Sequence, residues 1–326
     1  MNKKNLWLLL PVVAAAVLAV VFAVSRRTEA PAPAAPVSQE NPVLKIGYLP
    51  ITHATALVMA HQERDGKFTN FDMEVVKFGS WPELTEALFA GRIDGAVMLF
   101  ELALAGRQRG IPLQAVALGH RDGNVMVARP EISSVADLSG RRVAIPSRFS
   151  VHHILLAKAL QNAGLRYQDI EIVEMAPPDM MAALARDEIA AYLVAEPFGA
   201  VAEVQGVGKV LYSSQEIWEN STCCVLVLRE EAVREHPGAA SELTVALLAA
   251  GEAAEEDPAK AAAVSRQYFG HAENILVPGL ARTTFRRLEP SIAEFAEHQQ
   301  YLLDLGVLQQ PVDLRELINE ELAKER

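Results

Sequence analysis

The chain has 326 residues, of which 51% are hydrophobic and 22% charged, so it can bury one large core or two ordinary ones and is not a disordered tail. Residues 1–30 carry Lys3, Lys4, Arg26 and Arg27 against Glu29, a net +3, which leaves −14 of the formal −11 on the remainder. An acidic body of this kind argues against nucleic acid or an anionic membrane surface as partner, but not against an anion held in a locally positive cleft.

Leu6 to Val24 is apolar and bracketed by basic residues, the pattern of either a signal peptide or a membrane anchor, and Val21-Phe22-Ala23 offers a small-residue cleavage site. No cysteine lies nearby, which excludes lipoprotein attachment. Residues 1–27 are therefore expected to direct export, cleaved or retained, and 28–42, rich in Pro and Ala, to form a semi-extended tether.

Val43 to Leu49 alternates and stops at Pro50, which predicts a first strand. Ala54 to Arg64 predicts a helix with Thr52 and His53 at its start, and Asp72 to Phe78 a second strand leading into Ser80-Trp81. Pro82 suits a helix opening, Leu84, Ala87 and Leu88 recur at helical spacing, and Gly91 supplies a left-handed stop. Ile93 to Leu99 follows as a buried strand, then a helix over Phe100–Arg109 and a strand over Leu113–Leu118. This βαβ rhythm predicts a parallel sheet covered by helices, with ligands at the carboxyl ends of its strands.

Asn124 to Ala128 predicts another strand, and Ser134 to Leu138 a short helix closed by Gly140. A second βα series then runs through Arg141–Pro146, the polar turn Ser147-Arg148-Phe149-Ser150, and a helix from Val151 to Ala163. Glu171–Met175, a helix begun by Pro178, and Ala191–Val194 continue it. Cys223 to Leu228 is apolar enough to return the chain to the first sheet. Beyond Glu230 the pattern is helical throughout, over Pro237–Glu256, Pro258–Phe269, Glu289–Leu305 and Val312–Lys324.

One segment repeats another. Ala87-Leu88 with Ile93-Asp94-Gly95-Ala96 matches Ala183-Leu184 with Ile189-Ala190-Ala191-Tyr192, an offset of 96 (Ile189 minus Ile93), each followed by an acid, Glu101 or Glu196. The spacing is too long for a solenoid and suggests two lobes of one plan; chance similarity between Ala/Leu-rich helices is the alternative. The fold expected is α/β, two-lobed, with lobe 1 over 43–128, lobe 2 over 129–220, and 221–326 returning to lobe 1 and adding C-terminal helices.

Lys45-Ile46-Gly47-Tyr48-Leu49-Pro50, Gly79-Ser80-Trp81, Gly91-Arg92-Ile93-Asp94-Gly95-Ala96, Asp137-Leu138-Ser139-Gly140 and Ala195-Glu196-Pro197-Phe198 together resemble the periplasmic substrate-binding proteins of ABC importers, in the nitrate/bicarbonate/sulfonate/thiamine-precursor group. The resemblance spans about residues 43 to 230. It implies a type II periplasmic-binding-protein fold, whose two lobes close on a small solute and present it to a membrane permease. The nitrate- and bicarbonate-binding branch is nearest, through Ser80-Trp81 and Leu99-Phe100. That likeness implies that Trp81 lines the pocket and that His152 contacts the ligand. A third contact, Lys in nitrate binders and Glu in bicarbonate binders, falls on Cys224, so the solute stays open between such anions and a small organic molecule.

Thr52, His53, Ser80, Trp81, Ser150, His152, Tyr192, Glu196 and Cys224 are the expected ligand-binding residues. Each also has a plainer role: helix capping for Ser80 and Ser150, core packing for Trp81 and Tyr192, a helix-opening acid for Glu196. His53, His152 and His153 offer imidazoles, but His152 and His153 diverge by about 100° on a helix, and neither a metal nor a cofactor is expected. Cys223 and Cys224, the sole cysteines, are read as core thiols, a vicinal disulfide near the cleft, or a thiol or metal contact, on opposite faces of a strand unless bonded. No Gly-rich phosphate loop, His-Glu-x-x-His or Gly-x-Ser-x-Gly elbow occurs, so the chain is expected to be a monomeric receptor and no enzyme. A thiamine-pyrimidine-synthase-like or chorismate-dehydratase-like enzyme on the same fold, or a solute sensor, are the rival readings.

Overall fold

The computed structural model describes residues 41–324, so the expected signal or anchor segment lies outside the described residues. Among the described residues no helix is long and apolar enough to cross a membrane. The chain begins β1 (Val43–Tyr48), α1 (Thr55–Arg64), β2 (Asp72–Lys77), α2 (Trp81–Phe89), β3 (Gly95–Leu99), α3 (Phe100–Gln108), β4 (Leu113–Leu118), with a two-residue β5 (Arg121–Asp122) after it. It continues β6 (Asn124–Ala128), β7 (Arg142–Ile145), α4 (Val151–Asn162), β8 (Glu171–Glu174), α5 (Pro177–Ala185), β9 (Ala191–Ala195), α6 (Phe198–Gln205), β10 (Lys209–Ser213), the short α7 (Ser214–Ile217) and β11 (Cys224–Arg229). Then come α8 (Glu230–Glu235), α9 (Pro237–Glu256), α10 (Pro258–Phe269), α11 (Glu273–Ala281), β12 (Thr283–Thr284), α12 (Ile292–Asp304) and α13 (Leu314–Leu317).

Two five-stranded sheets result, ordered β2-β1-β3-β11-β4 and β10-β6-β9-β7-β8. In each, three parallel strands are followed by one antiparallel strand brought from the far side of the molecule: β11 beside β3, β6 beside β9. β11 does return the chain to the first sheet, as its unbroken apolar run predicts. β6 corrects the expected boundary. Its backbone bonds to β9 and β10, so lobe 1 ends at the crossing over 119–123 and not at 128. β10 was not foreseen, and Glu289–Leu305 starts late, at Ile292, because Pro290 disfavours helix at the residue before it.

The offset of 96 is carried through the backbone. α2 and β3 match α5 and β9 residue for residue (81 to 177, 89 to 185, 95 to 191, 99 to 195). The first strand pairings also agree, Val43 with Asp72 and Arg142 with Glu171, both 29 apart (72 − 43 and 171 − 142). β3 and β9 are buried along their whole length, which their continuous apolar runs require of central strands.

The C-terminal helices cover lobe 1 and reach lobe 2, α11 packing on α6 and Arg282 pairing with Glu196 and Glu203. α9 lies along α1, and Phe295 of α12 stacks on Phe100 with ring centroids 4.0 Å apart. The region is not wholly helical as expected: β12 pairs with β5, and of Val312–Lys324 only α13 and a final turn over Leu322–Lys324 are helical. There the chain trades helical bonds for the edge of β4, Asn319 donating from its backbone to the Ala115 carbonyl at 3.0 Å.

Candidate functional site

The chain crosses between lobes twice, from β4 to β6 and from β10 to β11, and the two crossings are laced together. Gly119 N–H donates to the Cys224 carbonyl at 2.8 Å and Asp122 N–H to the Ser221 carbonyl at 2.9 Å, while the Asp122 carboxylate accepts from the Ser221 amide at 3.1 Å and hydroxyl at 3.2 Å. Burial pushes the Asp122 carboxyl above its ordinary value, against the lowering by those Ser221 bonds.

Four side chains converge where these crossings meet the first strand-to-helix turn: His53, His120, Cys223 and Cys224. One donor atom of each lies within 4.8 Å of the others, and all four residues are buried. The His53 and His120 rings stack with centroids 3.4 Å apart. His53 Nε2 faces the Gly123 carbonyl at 3.0 Å, which places its proton there and leaves Nδ1 a lone pair toward Cys223 Sγ at 3.7 Å and Cys224 Sγ at 3.5 Å. The two sulfurs are free thiols 3.7 Å apart. They turn to the same imidazole rather than to opposite faces as expected, because Cys223 precedes β11 and escapes its alternation.

His152, on the first turn of α4 in lobe 2, lies near enough to His53 and His120 to feel their charge, but is not one of the four converging donors. It is 1% exposed and neither ring nitrogen has a hydrogen-bond partner. Burial, then the neighbouring His53, depresses it to about 3, and the same two causes hold His120 well below the ordinary imidazole value. Burial, and next the bond to Cys224, pushes the Cys223 thiol well up. Burial thus favours the neutral forms of His120, His152 and Cys223. His153 turns elsewhere, to the Arg148 carbonyl at 2.9 Å and the Tyr167 hydroxyl, as helical divergence requires.

The other expected residues lie around this chamber or apart from it. Thr52 and Glu196 hold each other: the Glu196 carbonyl accepts from Thr52 N–H at 2.9 Å and Thr52 Oγ1 at 3.1 Å. The Glu196 carboxylate takes Arg282 Nη1 at 2.6 Å and the Ala200 N–H at 3.0 Å. Ser150 is buried at the start of α4 with its hydroxyl on the Ser147 carbonyl, and Tyr192 packs inside lobe 2 with its hydroxyl on the Phe198 carbonyl at 3.2 Å.

Ser80 and Trp81 line a separate groove of about 530 Å³. Ser80 caps α2, its Oγ accepting from Glu83 N–H at 3.4 Å, and Trp81 is 6% exposed. Across the groove stand Ala176 and Pro177, their equivalents by the offset of 96, so the starts of α2 and α5 share one space. Phe89 and Leu102 add apolar wall, and Arg109, Glu86 and Glu174 add charges of both signs. His120 and Cys223 were missed by the sequence reading of the site. A histidine directly beyond the end of β4 was the available signal, since ligands gather at such strand ends.

A model of the NMT1-like family matches residues 38–267. The taurine-binding periplasmic protein of Escherichia coli is 34% identical over 166 residues, 49% of this chain and 51% of that one. The first curated relatives are spanned over only about a third to a half of their length (34%, 51% and 36%). Among solved structures, the ligand-binding component of an ABC-type import system from Staphylococcus aureus, crystallised with zinc, is 32% identical with a TM-score of 0.83, covering 87% of this chain and 99% of its own. The periplasmic nitrate-binding protein of Synechocystis shares the fold, with a TM-score of 0.79 at 18% identity over 88% of each chain.

Proposed function

The chain belongs to the NMT1-like family, and from that premise we propose that it is the solute-binding component of an ABC importer, working outside the cytoplasm as a monomer and docking on a membrane permease. One observation carries the reading: two lobes of the same plan, joined by two crossings, set equivalent helix starts on either side of a 530 Å³ groove. Helix N-termini favour negative charge, and a hinge between rigid lobes lets a ligand shift the balance of open and closed forms. An N-terminal signal or anchor, as read from Leu6–Val24, belongs to the same proposal.

The solute class we propose is a small organic anion or zwitterion, as taurine is for the Escherichia coli relative. Arg109 and the start of α2 suit an acidic head, Glu86 and Glu174 suit an ammonium, and Trp81, Phe89 and Leu102 suit a short carbon chain. A bare inorganic anion would leave that apolar wall unused. The buried Cys223 thiol, pushed up by its surroundings, is a poor nucleophile, which supports binding over catalysis.

Small-angle scattering with taurine, alkanesulfonates, nitrate and bicarbonate at millimolar levels tests this. Contraction with a sulfonate is expected; no contraction and no thermal shift with any of them would sink the reading.

A further inference from the structure

Outside the groove lies the His–Cys chamber, which takes in His53 and Cys224 of the expected ligand-binding residues and gathers four metal-capable donors among the described residues. We propose that His53, His120, Cys223 and Cys224 bind a soft or borderline transition-metal ion, Zn(II) or Cu(I).

The donor set argues for that class. Two sulfurs and imidazole nitrogens within 4.8 Å of one another suit thiophilic ions, and no carboxylate stands among the four, which disfavours calcium and magnesium. His53 is already oriented as metal-bound histidines are: one ring nitrogen donates to a backbone carbonyl, at Gly123, and the other faces the donor cluster.

An independent observation is the set of buried groups without partners. His120 accepts the Cys224 N–H on Nε2 at 3.2 Å and leaves Nδ1 unpaired, and nearby His152 leaves both ring nitrogens unpaired, although each residue is almost wholly enclosed. A buried polar group left unpaired costs about 1–3 kcal/mol, so unpaired ring nitrogens at and beside the cluster call for a ligand. A plain core would place leucine or phenylalanine there.

The placement adds a consequence. His53 and Cys224 belong to lobe 1, and His120 and Cys223 to the two crossings, so a bound ion ties lobe 1 to the hinge. Coordination by the two sulfurs requires thiolates, so binding of Zn(II) or Cu(I) releases their protons to solvent.

The test uses the full chain, reduced and stripped with a chelator, then titrated with Zn(II), with Cu(I) under anaerobic conditions, and with Co(II) as a spectroscopic probe. One equivalent retained through gel filtration is expected, with a thiolate-to-cobalt charge-transfer band in the near ultraviolet. The double variant C223S/C224S should lose the band, and H120Q should weaken binding by about tenfold or more. Circular dichroism checks folding, and H120Q serves if the double variant does not fold. No retained metal, or retention unchanged in folded C223S/C224S or H120Q, overturns the site. The receptor reading fails separately: metal retention without sulfonate-driven contraction supports the chamber and counts against the groove, and contraction without metal retention does the reverse.

Discussion

Gly91 and Asp187 occupy the same place in the two lobes, each ending a helix with a left-handed residue, at φ +68° and +59°. Gly91 N–H returns to the Leu88 carbonyl and Arg92 N–H to Ala87; Asp187 N–H returns to Leu184 and Glu188 N–H to Ala183. Lobe 1 meets the left-handed requirement with glycine, while lobe 2 meets it with a residue that pays for its Cβ.

Asp187→Gly is therefore expected to stabilise the protein by about 0.5–1 kcal/mol, since the ion pair it gives up with Arg129 is exposed and worth little. Gly91→Ala should destabilise by about 1 kcal/mol or more, because its left-handed backbone strains any Cβ, while the flexible Arg229 guanidinium can swing clear. Urea unfolding of both variants checks the pair. Equal effects of the same sign would mean that the two turns are not equivalent.

Thr52 clasps lobe 2 through the Glu196 carbonyl, with its hydroxyl also 3.1 Å from Thr283 Oγ1. Thr52→Val keeps the shape and the backbone bond but removes the hydroxyl. The expected loss is about 1 kcal/mol, with a larger open fraction in scattering from the ligand-free protein. A variant as compact and as stable as the parent would show that the clasp does not hold the lobes.

The elements that recur at offset 96 were legible because each carries its own punctuation: Pro at the helix start, a left-handed stop, then an unbroken apolar strand. Ser80 and Trp81 could be placed at a helix start for the same reason. What escaped was everything set by contacts distant in sequence. β10 lacks a distinctive run, and the assignment of β6 to lobe 2 depends on pairing with β9, some 67 residues on (Asn124 to Ala191). The chamber is the clearest case. Nothing local to His120 shows that it stacks on His53, and strand alternation wrongly separated Cys223 from Cys224 because the strand begins only at Cys224.

Asp122 gives a pH prediction. Burial raises its carboxyl in the native state, so the native fold holds the proton better than the unfolded chain does. The stability this confers is present below the ordinary value of 3.8 and is lost as pH rises through the raised native value. Asp122→Asn keeps an oxygen for the two Ser221 bonds, tolerates the left-handed backbone at φ +55°, and does not titrate. Relative to the parent it should gain as pH climbs from about 4 and then level off. Asp122→Ala leaves the Ser221 donors unpaired and should cost about 1–3 kcal/mol at neutral pH. Urea midpoints for the three proteins across that range decide it; a parent profile parallel to that of the Asn variant would remove Asp122 as the source.

Trp81 separates the groove from the chamber. The indole is almost buried, at 6% exposed, and lines the groove at the start of α2, whereas the metal donors gather at the crossings. Trp81→Ala should abolish the thermal shift and the contraction produced by the best sulfonate, because an aromatic wall supplies much of the contact area a small solute can reach. It should cost about 3–5 kcal/mol of stability as a core aromatic truncation, so Trp81→Phe, which retains most of the wall, controls for that loss and should keep part of the shift. Neither variant should alter the stoichiometry of cobalt bound or its charge-transfer band. A sulfonate shift that survives in Trp81→Ala would take Trp81 out of the solute site, and loss of the cobalt band in folded Trp81→Phe would mean that groove and chamber are one site.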